Sequence, residues 1–382
     1  YTGFFITTVN HILHLHIPVL QVALPIGISF FTFQALSYVI DVYRGQAAVQ
    51  KNFGRVLLYI SFFPQLIAGP IVKYKDIASE IDSRSVCLRE AASGMRRFIC
   101  GLAKKVLIAN TMAVAADQAF GQEPGSLNML GAWIGAVSYT MQIYYDFSGY
   151  SDMAIGLGQM FGFHFKENFT HPYCSLTIKE FWRRWHISLS SWFKEYVYIP
   201  LGGSRKGRLR TGINKVTVFF LTGLWHGADW TFVVWGLFHG AFSFLEEFVP
   251  AIRKLPRFLL HLYTMLAVTV GFVIFRADTL HQAFGFIGKM FAGFDFTAAS
   301  MSSACQMMTP YFIVMLAAAV IGCGPVCGLT VKLRRLLEKQ EQPASRENAA
   351  EVFLYTAAFL LLLWCIIRLS GGSYNPFIYF RF

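Results

Sequence analysis

The sequence predicts an all-α polytopic integral membrane protein. Of 382 residues, 55% are hydrophobic and only 14% charged, where soluble proteins carry about a quarter charged residues. Mean hydropathy is +0.47, and 38 phenylalanines exceed what a soluble core takes up. Apolar runs recur along the whole length without an internal repeat, so residues 1–382 read as a single transmembrane domain. The chain opens on Tyr1 without the basic head and small-residue cleavage site of a signal peptide, and earlier spans are expected ahead of it.

Runs able to cross a bilayer, about 20 apolar residues each, lie near 17–43, 54–72, 97–119, 127–147, 150–163, 214–227, 230–249, 258–276, 309–331 and 351–369. Pro25, Gly27, Pro64, Gly69 and Pro70 interrupt the first two. Such breaks are tolerated where backbone is buried in protein or lines a wet cavity. The basic connections SRKGRLRTGINK (204–215), RKLPR (253–257) and KLRRLLEK (332–339) fit cytoplasmic positions. Residues 216–250 then form a hairpin with LWHGAD at its turn, 277–308 an outer loop, and KQEQPASRENAAE (339–351) a cytoplasmic linker.

Net charge is +12. In a soluble protein that balance would point to nucleic acid, but no RNA- or DNA-binding motif accompanies it, and cytoplasmic loops collect Lys and Arg. Seven cysteines form no regular framework and read as small buried apolar residues. Cys323 and Cys327 lack nearby His ligands, and His11, His14 and His16 lack a matching second cluster, so no metal site is expected. The P-loop and the GxSxG elbow are both missing, which removes ATP hydrolysis and a serine esterase.

Two histidines set in tryptophan stand out. His186 lies in FWRRWHISLSSWF (181–193) and His226 in LTGLWHGADW (221–230). An imidazole at membrane depth is costly without a partner or a task. Trp182, Trp185, Leu189, Trp192 and Phe193 fall near one helical face, with Lys179, Arg183 and Arg184 elsewhere, as in an interfacial or re-entrant helix. His186 reads either as facing a cavity or as a satisfied structural histidine beside tryptophan. For His226, flanked by Trp225 and Gly227, a neutral imidazole in a poorly solvated pocket is a candidate proton acceptor. His239 in WGLFHG reads more simply as a bond to a neighbouring helix. Asp146 and Asp152, in YYDFSGYSDMAIG (144–156), either support the chemistry or lock helices together, and Asp41 with Arg44 reads as a boundary pair.

Taken together, these motifs resemble the membrane-bound O-acyltransferase family, in particular its bacterial alginate and peptidoglycan O-acetyltransferase branch. The resemblance rests on LPIGISFFTFQALSYVIDVYRG (24–45), FFPQLIAGPIVKY (62–74), YYDFSGYSDMAIGLGQMFGF (144–163), FWRRWHISLSSWFKEYVYIPLGGSR (181–205), LTGLWHGADWTFVVWGLFHG (221–240) and YNPFIYFRF (374–382), in order across nearly the whole chain. A sister branch transferring D-alanine shares the two-histidine theme, but the PLGGSR segment and the NPFIYF ending look more like the acetyl branch.

The resemblance implies a ring of transmembrane helices around a central acyl-transfer tunnel. It implies His226 as principal catalytic residue and His186 as its companion, positioning the acyl group or stabilising an oxyanion. Trp182, Trp185 and Trp225, with Asp146 and Asp152, would line the tunnel; Arg183 and Arg184 would attract the anionic end of the donor. Lys206 and Arg208 suit that role and ordinary positive-inside charge equally. No cofactor is expected to be bound, with acetyl-CoA as acyl donor. The expected partners are a periplasmic acetyltransferase-type protein, an extracytoplasmic polysaccharide and membrane lipid, at a bacterial inner membrane. The rival class is a transporter of a polysaccharide or an acylated intermediate, which suits broken helices and buried aspartates but leaves the tryptophan-flanked histidines without a task. A purely structural membrane subunit, scaffolding a secretion complex, is the third.

Overall fold

The computed structural model describes residues 2–19, 25, 27–67, 69–123, 126–324, 344–372 and 376. Cys327, the basic KLRRLLEK segment, the start of the 339–351 linker and all of the YNPFIYFRF ending except Pro376 lie outside the described residues. Among the described residues there are helices and connections and no strands. In chain order the helices are α1 (Thr2–Leu13), α2 (Ile28–Tyr43), α3 (Phe53–Ser61), α4 (Phe63–Leu66), α5 (Tyr74–Asp82), α6 (Leu88–Phe120) and α7 (Met129–Met160). Then come α8 (Ile178–Arg184), α9 (Ile187–Phe193), α10 (Gly207–His226), α11 (Trp230–Phe248), α12 (Arg257–Arg276), α13 (Leu280–Ala292), α14 (Ala298–Met307), α15 (Pro310–Cys323) and α16 (Ala344–Ser370).

By length and composition alone, α6, α12 and residues Glu351–Ser370 of α16 are able to cross a membrane, with α14 and α15 a pair bent by 62°. That is fewer than the apolar runs suggested. The run near 54–72 divides into α3, α4 and a buried non-helical stretch through Gly69–Pro70 into α5. Gly27 adopts φ 79° where the chain enters α2, a left-handed conformation that glycine takes without a Cβ penalty. The expected outer loop 277–308 holds α13 and α14, each started by a threonine whose hydroxyl accepts a backbone N–H. Basic residues 207–215 begin α10 rather than forming a loop, and Lys215 pairs with Glu247 at 2.6 Å.

The runs at 127–147 and 150–163 are one 32-residue helix, α7. Asp146, Gly149 and Asp152 make it look interrupted, but α6 supplies what they need. Lys105 meets the buried Asp146 at 2.8 Å, while Arg97 (2.8 Å) and Lys104 (2.6 Å) meet Asp152. Glycines set the approach: a Cβ on Gly101 would lie 2.5 Å from the Gly149 carbonyl oxygen, and one on Gly94 the same distance from that of Gly156. Small residues at such a crossing let helix backbones touch.

Asp41 is likewise buried, held by Lys75 at 3.3 Å and the Tyr196 hydroxyl at 2.9 Å, whereas Arg44 donates to the Glu195 carbonyl. The sequence's boundary pair is therefore two separate anchors. Replacing Lys105 with methionine leaves the Asp146 carboxylate without its ion-pair cation in the core. Breaking a buried pair from one side costs about 3–5 kcal/mol, so the detergent-solubilised variant is expected to melt well below wild type. An unchanged midpoint would show that the pair does not hold α6 to α7.

Candidate active site

The segment around His186 is two short helices. Thr177 caps α8 by accepting the Glu180 N–H at 3.0 Å. Buried Glu246 on α11 accepts the N–H groups of Ile178 (2.6 Å) and Lys179 (3.1 Å), placing a carboxylate at the positive end of α8. Helix α8 ends at Trp185, which is extended, and His186 follows with φ 43° and ψ 56°. That left-handed conformation is uncommon for a residue with a side chain. It breaks the single aromatic face expected over 182–193.

The connection before α8 holds this break in place. The Ile187 N–H donates to the Asn168 carbonyl at 2.9 Å, and the Thr170 N–H to the Arg184 carbonyl at 3.0 Å. The Asn168 side-chain oxygen lies 3.2 Å from His186 Nδ1, 3.2 Å from the Ser188 N–H and 2.9 Å from the Ser188 hydroxyl. His186 is fully buried against the edges of Phe147 at 4.6 Å, and its Nε2 has no hydrogen-bond partner among the described residues.

His226 is the last residue of α10, and a three-residue turn leads into α11, whose start is capped by Asp229 accepting the Thr231 N–H at 3.0 Å. The expected hairpin is therefore present, with the imidazole at its turn. Gly227 is extended, and a Cβ there would collide with the Phe232 ring. The half-buried His226 ring packs edge-to-face on Trp225 (4.8 Å), Trp235 (5.1 Å) and Phe275 (5.1 Å).

Trp225 joins the two histidines. Its indole ring lies 6.1 Å from the His186 ring and 4.8 Å from the His226 ring, and its N–H donates to the Ser29 carbonyl at 3.3 Å. On one side Trp225, with Ser29, Phe33, Trp192 and Leu221, lines an apolar cavity of about 470 Å³. Separately, a narrow crevice of about 100 Å³, with Lys73, Asp76, His164, Lys166 and Glu195 among apolar lining residues, reaches Ser188. Its charges are already matched: Lys73 meets Glu195 at 2.6 Å and Lys166 meets Asp76 at 2.6 Å. Burial alone would raise the Glu195 carboxyl, yet Lys73 and Lys75 hold it below its ordinary value.

The remaining candidates are more scattered. Trp182 donates its indole N–H to His239 Nδ1 at 3.4 Å and packs on Trp235, one ring away from His226. His239 thus makes a helix-to-helix bond, between α11 and α8. Trp185 is buried among Phe169, Phe181 and Phe272. Asp146 and Asp152 are ion-paired between α6 and α7. Arg183 is exposed, and Arg184 pairs with Glu180 at 2.7 Å. Arg208 donates to the Glu247 carbonyl, and Lys206 is exposed. His11, His14 and His16 are exposed, and no group of three or more His, Cys, Asp or Glu among the described residues is placed to hold a metal. Asn168, Ser188, Trp235, Phe275 and Glu246 were not singled out in the sequence. Asn168 sits in an aperiodic connection, and no spacing places it beside residue 186.

Two imidazoles framed by aromatic rings in an apolar helical body belong to a multi-pass membrane enzyme. The profile of the membrane-bound O-acyltransferase family matches residues 48–277, which include both histidines. The chain belongs to that family and is an O-acyltransferase. It is 42% identical over 373 residues to the "Probable alginate O-acetylase" of Pseudomonas putida, covering 95% of this chain and 76% of that one. Against the peptidoglycan O-acetyltransferase of Helicobacter pylori it is 35% identical, over 100% of this chain and 79% of that one. The teichoic acid D-alanyltransferase of Bacillus subtilis is 28% identical, over 67% of this chain and 70% of that one.

Proposed function

We propose that this chain moves an acetyl group from acetyl-CoA, arriving at the cytoplasmic face of a bacterial inner membrane, toward hydroxyls of an extracytoplasmic polysaccharide. The acetyl group passes either directly or through a periplasmic acetyltransferase-type partner. The convergence of His186 and His226 on the Trp225 ring carries the reading. Similarity to O-acetyltransferases named for alginate and peptidoglycan supports the acyl group and the acceptor class over D-alanyl transfer.

In the proposed step, the acceptor hydroxyl oxygen attacks the thioester carbonyl carbon while His226 takes the hydroxyl proton. The C–O bond forms and the C–S bond breaks. The proton on His226 then passes to the departing thiolate, leaving an ester, free CoA thiol and a neutral imidazole. The imidazolium formed midway sits at the carbonyl end of α10, whose partial negative charge favours it. Aromatic walls around the ring exclude the water that would otherwise hydrolyse the thioester.

The test is transfer of radiolabelled acetyl from acetyl-CoA in proteoliposomes, with glycan and partner protein supplied separately. Label is expected in the glycan or partner fraction and to depend on His226. Transport of a pre-acetylated glycan without acetyl-CoA turnover would overturn the proposal in favour of a transporter.

A further inference from the structure

The orientation of the Asn168 amide is settled by a group that only donates. The backbone N–H of Ser188 lies 3.2 Å from the atom assigned as Oδ1, so that atom is the acceptor oxygen. The Nδ2 end accordingly donates to the Ser151 hydroxyl on α7, at 3.1 Å. His186 Nδ1 faces the same oxygen at 3.2 Å. Two acceptors cannot share a hydrogen bond, so the proton of the neutral ring is on Nδ1 and the lone pair is on Nε2. Ser188 Oγ, 3.4 Å from Nδ1, spends its own proton on Oδ1 at 2.9 Å and does not alter this assignment.

Asn168 also fixes the backbone. Its carbonyl takes the Ile187 N–H, which pins the left-handed turn at His186 from the other side. Conformations of that kind are strained for a residue with a side chain and persist where surrounding structure over-determines them. Here one residue holds both the peptide after the histidine and the ring itself. The result is a bare, fully buried Nε2 on the ring edge opposite Asn168.

We infer that Asn168 is a positioning residue for acyl transfer, holding His186 in its Nδ1–H tautomer so that Nε2 accepts a hydrogen bond from a second hydroxyl of the acceptor, neighbouring the one that attacks. This rests on the acyl-transfer reading above and changes the companion role. A neutral His186 in this tautomer has no free N–H to offer an oxyanion, whereas its lone pair can hold a neighbouring hydroxyl of the acceptor while His226 takes the single proton of the attacking one. The groups packed directly against His186, Phe147, Phe169, Trp225 and Asn168, carry no charge, and the nearby titratable group on another element is His226, which packs on the same Trp225 ring.

Two readouts test this. In protein labelled with 15N-histidine, with the His186 resonances identified by their loss in His186→Gln, wild type is expected to show protonated Nδ1 and unprotonated Nε2. In the acetyl-transfer assay, Asn168→Leu is expected to lower kcat about 10²-fold, the low end of what positioned acid–base groups contribute. Asn168→Asp keeps the acceptor, retains most activity, and shifts the acid limb of the kcat–pH profile to higher pH because a carboxylate favours the adjacent imidazolium. A His186 Nε2 found protonated in wild type overturns the inference. So does an Asn168→Asp profile identical to wild type, which is what a purely structural role predicts. If Asn168→Leu does not fold, the wild-type spectrum and the Asn168→Asp profile still decide. Absence of acetyl transfer by wild type would sink the acyl-transfer reading, while the nitrogen spectrum would still judge the tautomer.

Discussion

Alanine at His226 is expected to lower kcat for acetyl transfer by about 10²–10⁴-fold, the range a positioned general base supplies, with KM for acetyl-CoA little changed. The expectation follows from what the ring does and does not touch. It packs on three aromatic rings, but no protein group among the described residues hydrogen-bonds to either nitrogen. Truncation therefore orphans no buried donor or acceptor, and the variant should remain monodisperse in detergent. A loss of kcat without a loss of fold separates a group that acts in the transition state from one that merely packs. Wild-type kcat in a well-folded His226→Ala protein would remove His226 from the chemistry.

Leucine at Gly101 is expected to abolish recovery of folded protein. A side chain there collides with the Gly149 carbonyl, backbone that has no rotamer with which to yield. Forcing α6 and α7 apart also strains every ion pair that crosses the seam, among them Lys105–Asp146 and Arg97–Asp152. Overpacking alone costs about 1–3 kcal/mol, and a disrupted buried pair about 3–5 kcal/mol more, comparable to the whole stability of many domains. Gly101→Ala should show the same sign with a smaller shift of the thermal midpoint. A normal chromatographic profile for Gly101→Leu would mean that the helices are not packed at this register. The damage should reach the site, because α7 carries Phe147 against His186 and Ser151 against Asn168.

What the sequence made legible was whatever depends on local pattern. Apolar period and tryptophan placement located α10, α11 and their turn, and singled out His186 and His226 because an imidazole in apolar sequence demands an explanation. Pattern failed where partners come from afar. Asp146 and Asp152 read equally as support for chemistry and as helix locks, because the cations they meet lie on α6, far back in the sequence. The aromatic residues from 182 to 193 read as one face because helical spacing carries no mark of the left-handed residue between them. Asn168 was invisible for the same reason: its role is a hydrogen bond across the fold, and a polar residue in an aperiodic connection looks like any other. The acetyl branch, by contrast, was readable in whole motifs, and the higher identity to O-acetyltransferases than to the D-alanyl relative agrees with it.

The break at His186 gives this architecture a freedom that a continuous helix would lack. Helix α8 is locked to α11 through Glu246 and through Trp182 with His239, while α9 presents Trp192 and Phe193 to the cavity beside Trp225. The two do not share one helical face, because a non-helical pair, Trp185 and His186, joins them. The cavity wall at Trp192 and Phe193 thus lies on a helix of its own, while His186 is held from the Asn168 connection. A change of side chain at Trp192 or Phe193 therefore remodels that wall without passing through the turn that fixes His186.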